Sequence, residues 1–68
     1  MLAITVNGQP RTLSLPSATL ADLVRDLQVE GRRIAVEKNG EIVPKGRYGA
    51  TLLVNGDRIE IVGAVGGG

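Results

Sequence analysis

The chain has 68 residues, a net charge of +1, one aromatic residue (Tyr48), no histidine and no cysteine. That size makes one small domain, with too little interior for a deep catalytic cleft of its own. The composition supplies no thiol nucleophile, no disulfide and no imidazole base or metal ligand, and neither the basic field nor the stacking platform of a nucleic-acid binder.

Leu2, Ile4 and Val6 alternate with Ala3 and Thr5, the pattern of a half-buried strand. Asn7-Gly8 follows as a hairpin turn, because both residues tolerate the positive φ that such a turn needs. Arg11 to Leu15 alternates again, with Leu13 and Leu15 on one face. Pro10 restricts this second strand to a sheet edge, so it is expected outermost. Thr19 is placed to cap a helix by accepting from the Asp22 amide, and Asp22 adds favourable charge to the first turn. Leu20, Leu23, Val24 and Leu27 form one apolar stripe at helical spacing, and Gly31 supplies the stop, giving a helix of about ten residues.

Arg33 to Glu37 is a third strand, with Ile34 and Val36 inward. Asn39-Gly40 turns the chain into a short strand around Ile42 and Val43, which Pro44 closes. Lys45 to Ala50 reads as a loop or single helical turn, with Tyr48 packed within it. Leu52 to Val54 is a brief strand or packed loop. Asn55-Gly56-Asp57 is read as a turn in preference to a metal or partner site, and Arg58 to Val62 is the last strand. The order β-β-α-β-β-β predicts an α+β layer fold, divided into a domain over 1–62 and a flexible glycine tail over 63–68. No stretch approaches the ~20 apolar residues of a membrane span, and the first residues lack the pattern of a signal peptide, so neither membrane nor nucleic acid is expected as a partner and the cytoplasm is the expected location.

The last three residues are Gly66-Gly67-Gly68. Glycine can thread a channel too narrow for any side chain, and a tail of this length reaches about 20 Å when extended. Gly63-x-x-Gly66-Gly67-Gly68 is not a phosphate-binding loop, since no helix follows it in the sequence. Val62, Ala64 and Val65, beside the tail and off the Ile59/Ile61 face, are candidates for an apolar docking surface. Arg32, Arg33, Lys45 and Arg47 are read as solvated charge in preference to a basic docking patch.

Taken together, Asn7-Gly8, the Thr19–Leu27 helix, Arg33-Ile34-Ala35-Val36-Glu37, Ile42-Val43-Pro44, the Asn55–Val62 segment and the closing glycines resemble the β-grasp, ubiquitin-like sulfur carriers, and among them those of thiamine (thiazole) biosynthesis. The resemblance covers the whole chain. It implies a mixed sheet of four to five strands, with the first and last strands parallel and adjacent at its centre and one main helix on one face. It also implies a co-substrate, not an enzyme, with no cofactor of its own. An adenylating, ubiquitin-activating-like partner would use ATP on the carboxylate of Gly68, a sulfur donor such as a cysteine desulfurase would supply sulfur to form a thiocarboxylate, and thiazole synthase would receive it. The familiar ending of this family is two glycines where this chain has three; Gly68 is taken as the reacting residue, with Gly66 and Gly67 as the approach to it. The alternatives are the small subunit of molybdopterin synthase, a ubiquitin-like protein modifier, and a β-grasp interaction module with an inert tail.

Overall fold

A computed structural model describes residues 1–14 and 18–63. The elements are β1 (Leu2–Val6), β2 (Gln9–Leu13), β3 (Ala18–Thr19), α1 (Leu20–Asp26), β4 (Ile34–Lys38), β5 (Glu41–Val43), a 3-10 helix (Lys45–Ala50), β6 (Leu52–Leu53) and β7 (Arg58–Gly63). Five strands form one mixed sheet in the order β2-β1-β7-β4-β5, and β3 pairs with β6 in a separate two-stranded ladder. β1 and β7 are parallel, while the β1/β2, β4/β5 and β4/β7 pairs are antiparallel. The expected β-grasp architecture is thus present, with β7 central and β2 outermost.

Alternation sorts the sheet into two faces. Leu2, Ile4, Val36 and Ile59 are buried, and with Leu20, Leu23 and Val24 of α1, Ala18, Leu53 and Tyr48 they form the core. Leu27 is only partly buried at the end of the helix stripe. Tyr48 packs from the 3-10 helix, and burial pushes its phenol pKa up. Asn7-Gly8 and Asn39-Gly40 are turns with positive φ throughout, which is the twist an antiparallel hairpin requires.

Several boundaries differ from the sequence reading. β2 covers Gln9–Leu13, not Arg11–Leu15, so Pro10 lies inside the strand opposite Thr5. Thr5 directs its N–H away from β2, to the carbonyl of Asp57 at 3.0 Å. The Thr5/Pro10 pair is therefore a non-hydrogen-bonded one, and the N–H that proline lacks falls on the open side of an edge strand. Leu15 lies outside the described residues. The third strand begins at Ile34 and ends at Lys38, one residue later at each end than expected.

The helix is seven residues long, not ten, and its stop is not Gly31. Its start is as expected: the Thr19 hydroxyl accepts from the Asp22 N–H, and the Asp22 carboxylate accepts from the Thr19 N–H. The Thr19 bonds, main-chain first, and then the Arg25 guanidinium hold the Asp22 pKa below its ordinary value. This carboxylate therefore stabilises the helix start above the ordinary aspartate range and loses that effect as acid protonates it. At the other end Gln28 adopts φ 60. The Gln28 N–H donates to Arg25 and the Val29 N–H to Val24, so the helix closes in a Schellman turn with glutamine where glycine is usual. A left-handed conformation costs a side-chain-bearing residue about 1–2 kcal/mol. Gln28→Gly is accordingly expected to raise stability by about 1 kcal/mol, read as a higher denaturant midpoint at unchanged slope. An unchanged or lower midpoint would contradict this account of the helix end.

Candidate functional site

β7 carries the chain towards the glycines, so the groups that hold it define the base of the tail. It lies between β1 and β4, and its last residue, Gly63, is still paired with Ile34. Regular pairing therefore continues one residue beyond position 62. Gly66, Gly67 and Gly68, with Ala64 and Val65, lie outside the described residues.

The start of β7 is fixed by Asp57, a buried charged residue with 4% exposure. Its Oδ1 accepts from Asn39 Nδ2 and its Oδ2 from the Val54 N–H, each at 2.9 Å, with Lys38 Nζ 3.7 Å from Oδ2. Asn39 in turn accepts from the Arg58 N–H at 2.8 Å, tying the β4–β5 turn to β7. Asn55 Oδ1 accepts from the Ala3 N–H and the Gly56 N–H donates to the Ala3 carbonyl, both at 2.8 Å, tying the Asn55-Gly56-Asp57 turn to β1. Asn7 accepts from the Ile61 N–H at 2.7 Å and donates through Nδ2 to the Ile61 carbonyl at 3.2 Å. The Asn55-Gly56-Asp57 segment is thus a turn, as expected, but its side chains also fasten three elements. Sequence spacing does not reveal this, because the partners lie up to 52 residues apart.

Of the docking candidates, Val62 is described and is 58% exposed. It stands opposite exposed Ala35 on the sheet face away from α1. Ile42, 70% exposed, extends apolar character on that face, beyond Glu37. The sequence did not single out Ile42, because a three-residue strand is too short for its alternation to be read. The basic residues are divided: Arg32 and Lys45 line a cavity of about 240 Å³ beside Tyr48, whereas Arg47 lines another next to Lys38. Among the described residues no His, Cys, Asp or Glu grouping could hold a metal ion, and no helix is long and apolar enough to cross a membrane.

The ThiS family model matches residues 4–68. The chain belongs to the ThiS family. It is 38% identical over 65 residues to the sulfur carrier protein ThiS of Bacillus subtilis, covering 96% of this chain and 98% of that one. The crystal structure of a thiamine biosynthesis protein (ThiS) from Geobacter metallireducens superposes with a TM-score of 0.85 at 33% identity, covering 98% of this chain and all of that one. This is the β-grasp family expected from the resemblance. A thiazole synthase of Paramagnetospirillum magneticum is 42% identical over 67 residues, and a second, from Magnetococcus marinus, 37%. This ThiS-family chain spans 20% of the length of each of these two relatives.

Proposed function

We propose that this chain carries sulfur for thiazole formation in thiamine biosynthesis, on the α-carboxylate of Gly68. The observation that carries the proposal is the family match, which runs from residue 4 through the glycines. The chemistry suits the composition. A carboxylate is a poor acyl donor, because its charge repels nucleophiles and oxide is a poor leaving group. Attack by one of its oxygens on the α-phosphate of ATP, in the active site of an adenylating partner, forms an acyl-adenylate and releases pyrophosphate. A sulfur nucleophile, supplied by a donor such as a cysteine desulfurase, then attacks the acyl carbon. AMP leaves with the former carboxylate oxygen; where the nucleophile is a donor persulfide this forms an acyl disulfide. Attack by a thiol on the donor sulfur then breaks the S–S bond, leaving the thiocarboxylate and a new disulfide on the donor. The carrier needs no thiol, imidazole or cofactor for this; it needs a free carboxylate, an unhindered terminus and a firm body.

Transfer to a thiazole synthase is supported by the two thiazole synthases that contain a stretch similar to this chain. A bacterium lacking its own thiazole sulfur carrier should grow without thiamine when it expresses this chain, and should fail to grow when the chain lacks the last three glycines. Failure of the intact chain to restore growth, with restoration of molybdopterin formation in the corresponding strain, would assign it to the molybdopterin branch instead.

The outer sheet face is the proposed docking surface. Val62→Asp should leave stability within about 0.5 kcal/mol, because Val62 is mostly exposed. It should weaken binding to the adenylating partner about ten-fold or more, because a charge would be desolvated in an apolar interface. Unchanged affinity in a titration would remove Val62 from that surface.

A further inference from the structure

We infer that Asn7 is a positioning residue for the tail, its carboxamide clamping the main chain of β7 at the point where β1 can no longer pair with it. The ladder between these parallel strands proceeds in steps of two residues. The Thr5 N–H donates to the Asp57 carbonyl at 3.0 Å and the Asn7 N–H to the Ile59 carbonyl at 2.8 Å. The next acceptor in the series is the Ile61 carbonyl, but β1 ends at Val6 and the chain turns away through Gly8 into β2. Asn7 Nδ2 donates to that carbonyl at 3.2 Å, and Asn7 Oδ1 accepts from the Ile61 N–H at 2.7 Å. The side-chain amide therefore stands where the next peptide group of a longer β1 would stand, and it extends the ladder by one unit towards the tail.

The residue type is specific to this double task. The turn demands a left-handed residue at position 7, with φ 52, which glycine, asparagine and aspartate adopt most readily. Only asparagine among these offers both a donor and an acceptor. Glycine would keep the turn and lose the clamp; aspartate would keep the turn and the acceptor and lose the donor. A requirement for the turn alone does not account for both bonds to a residue 54 positions away.

The functional consequence rests on the carrier reading. Gly63 is held from the β4 side by its pairing with Ile34. Asn7 holds Ile61 from the β1 side, so the direction in which the chain leaves the sheet is fixed from both edges. With Asn7 gone, a partner that grips the body receives a tail whose base must still be ordered. That cost falls on placing the tail in the partner's site, after the body has docked, so it lowers turnover and leaves docking alone.

The test compares the full chain with Asn7→Gly and Asn7→Asp. Pyrophosphate exchange by the adenylating enzyme is measured against carrier concentration, alongside amide hydrogen exchange at Ile61 and, as a core control, Val36. In Asn7→Gly, kcat should fall about five-fold, the worth of about one net hydrogen bond, with KM unchanged. The Ile61 amide should exchange faster while Val36 does not, and Asn7→Asp should fall in between. Unchanged kcat in Asn7→Gly, a change in KM alone, or unchanged protection at Ile61 would overturn the assignment. If either variant loses Val36 protection, the other decides by the same criteria; if both do, the residue is a structural one and the positioning role is rejected. Should the unaltered chain not be adenylated at all, it is the carrier reading that fails. The clamp is then judged on Ile61 protection alone, and equal protection in Asn7→Gly rejects it.

Discussion

Deletion of Gly68 is expected to abolish sulfur loading while leaving the fold intact. The described sheet ends at Gly63, and among the described residues every core residue lies upstream of it. Thermal melting of the shortened chain should therefore match that of the full chain within error. Its new terminal carboxylate, on Gly67, would stand short of the reacting position by about 3.4 Å, one extended residue. Misplacement of a reacting group by about 1 Å can already cost about 100-fold in rate. A body gripped at a fixed place cannot supply the missing length, so adenylation should drop to background. Loading of the shortened chain at a rate close to that of the full chain would show that the working terminus is Gly67, in line with the two-glycine ending familiar in the family.

The largest loss of stability from a single polar substitution is expected at Asp57. Asp57→Ala removes the acceptor for the Val54 N–H and for Asn39 Nδ2, and leaves Lys38 without its counter-charge. Both hydrogen bonds are partly buried, so water replaces them poorly. Leaving such donors unsatisfied costs about 1–3 kcal/mol each where burial is complete, and partial exposure reduces this; a total of about 3 kcal/mol is expected. A domain of this size holds only about 3–10 kcal/mol in all. The melting temperature should fall by at least about 12 °C, at about 4–8 °C per kcal/mol. Asp57→Asn keeps one acceptor for the Val54 N–H and should lose roughly half as much. A fall of less than a few degrees in Asp57→Ala would mean that the Asn39–Asp57–Val54 network does not hold the start of β7.

The two substitutions separate what the sequence shows from what only the structure shows. Thr19 and Asp22 announce the helix start through local hydrogen bonds, and Asn7-Gly8 and Asn39-Gly40 announce hairpins through φ. The Leu20, Leu23, Val24 stripe and the Leu2, Ile4 alternation announce the core through period alone. All of these are short-range signals, and the structure keeps them. The helix ends earlier than the sequence suggests because Gln28, directly after the Leu27 cap, already takes the left-handed conformation, three residues ahead of Gly31, which is also at positive φ; nothing in the side chain of glutamine signals that. The sequence places Pro10 correctly at a sheet edge but starts the strand after it, at Arg11; β2 instead runs through Pro10, whose missing N–H falls on the open side. The two-residue β3–β6 ladder has too little pattern to read in β3, and half of it lies next to the helix cap.

The candidate site was legible only in outline. Gly66-Gly67-Gly68 mark the proposed reacting end only through a resemblance to a family, and the family match supports that resemblance. The groups that hold the base of the tail were not legible. Asn7, Asn39, Asn55 and Asp57 read locally as turn residues, and their second role depends on strands brought together from opposite ends of the chain. Ile42 was missed for a different reason: three residues of strand do not establish a face.

The central claim is that the carboxylate at Gly68 is the functional group of this chain. It is tested most directly by incubating the chain with its adenylating enzyme, ATP and a sulfur donor and weighing the intact protein. The predicted result is a gain equal to the replacement of one oxygen by one sulfur, localised by fragmentation to the terminal glycine and absent when ATP is withheld. An unchanged mass in the presence of an enzyme shown to be active, or a sulfur found anywhere else in the chain, would contradict it.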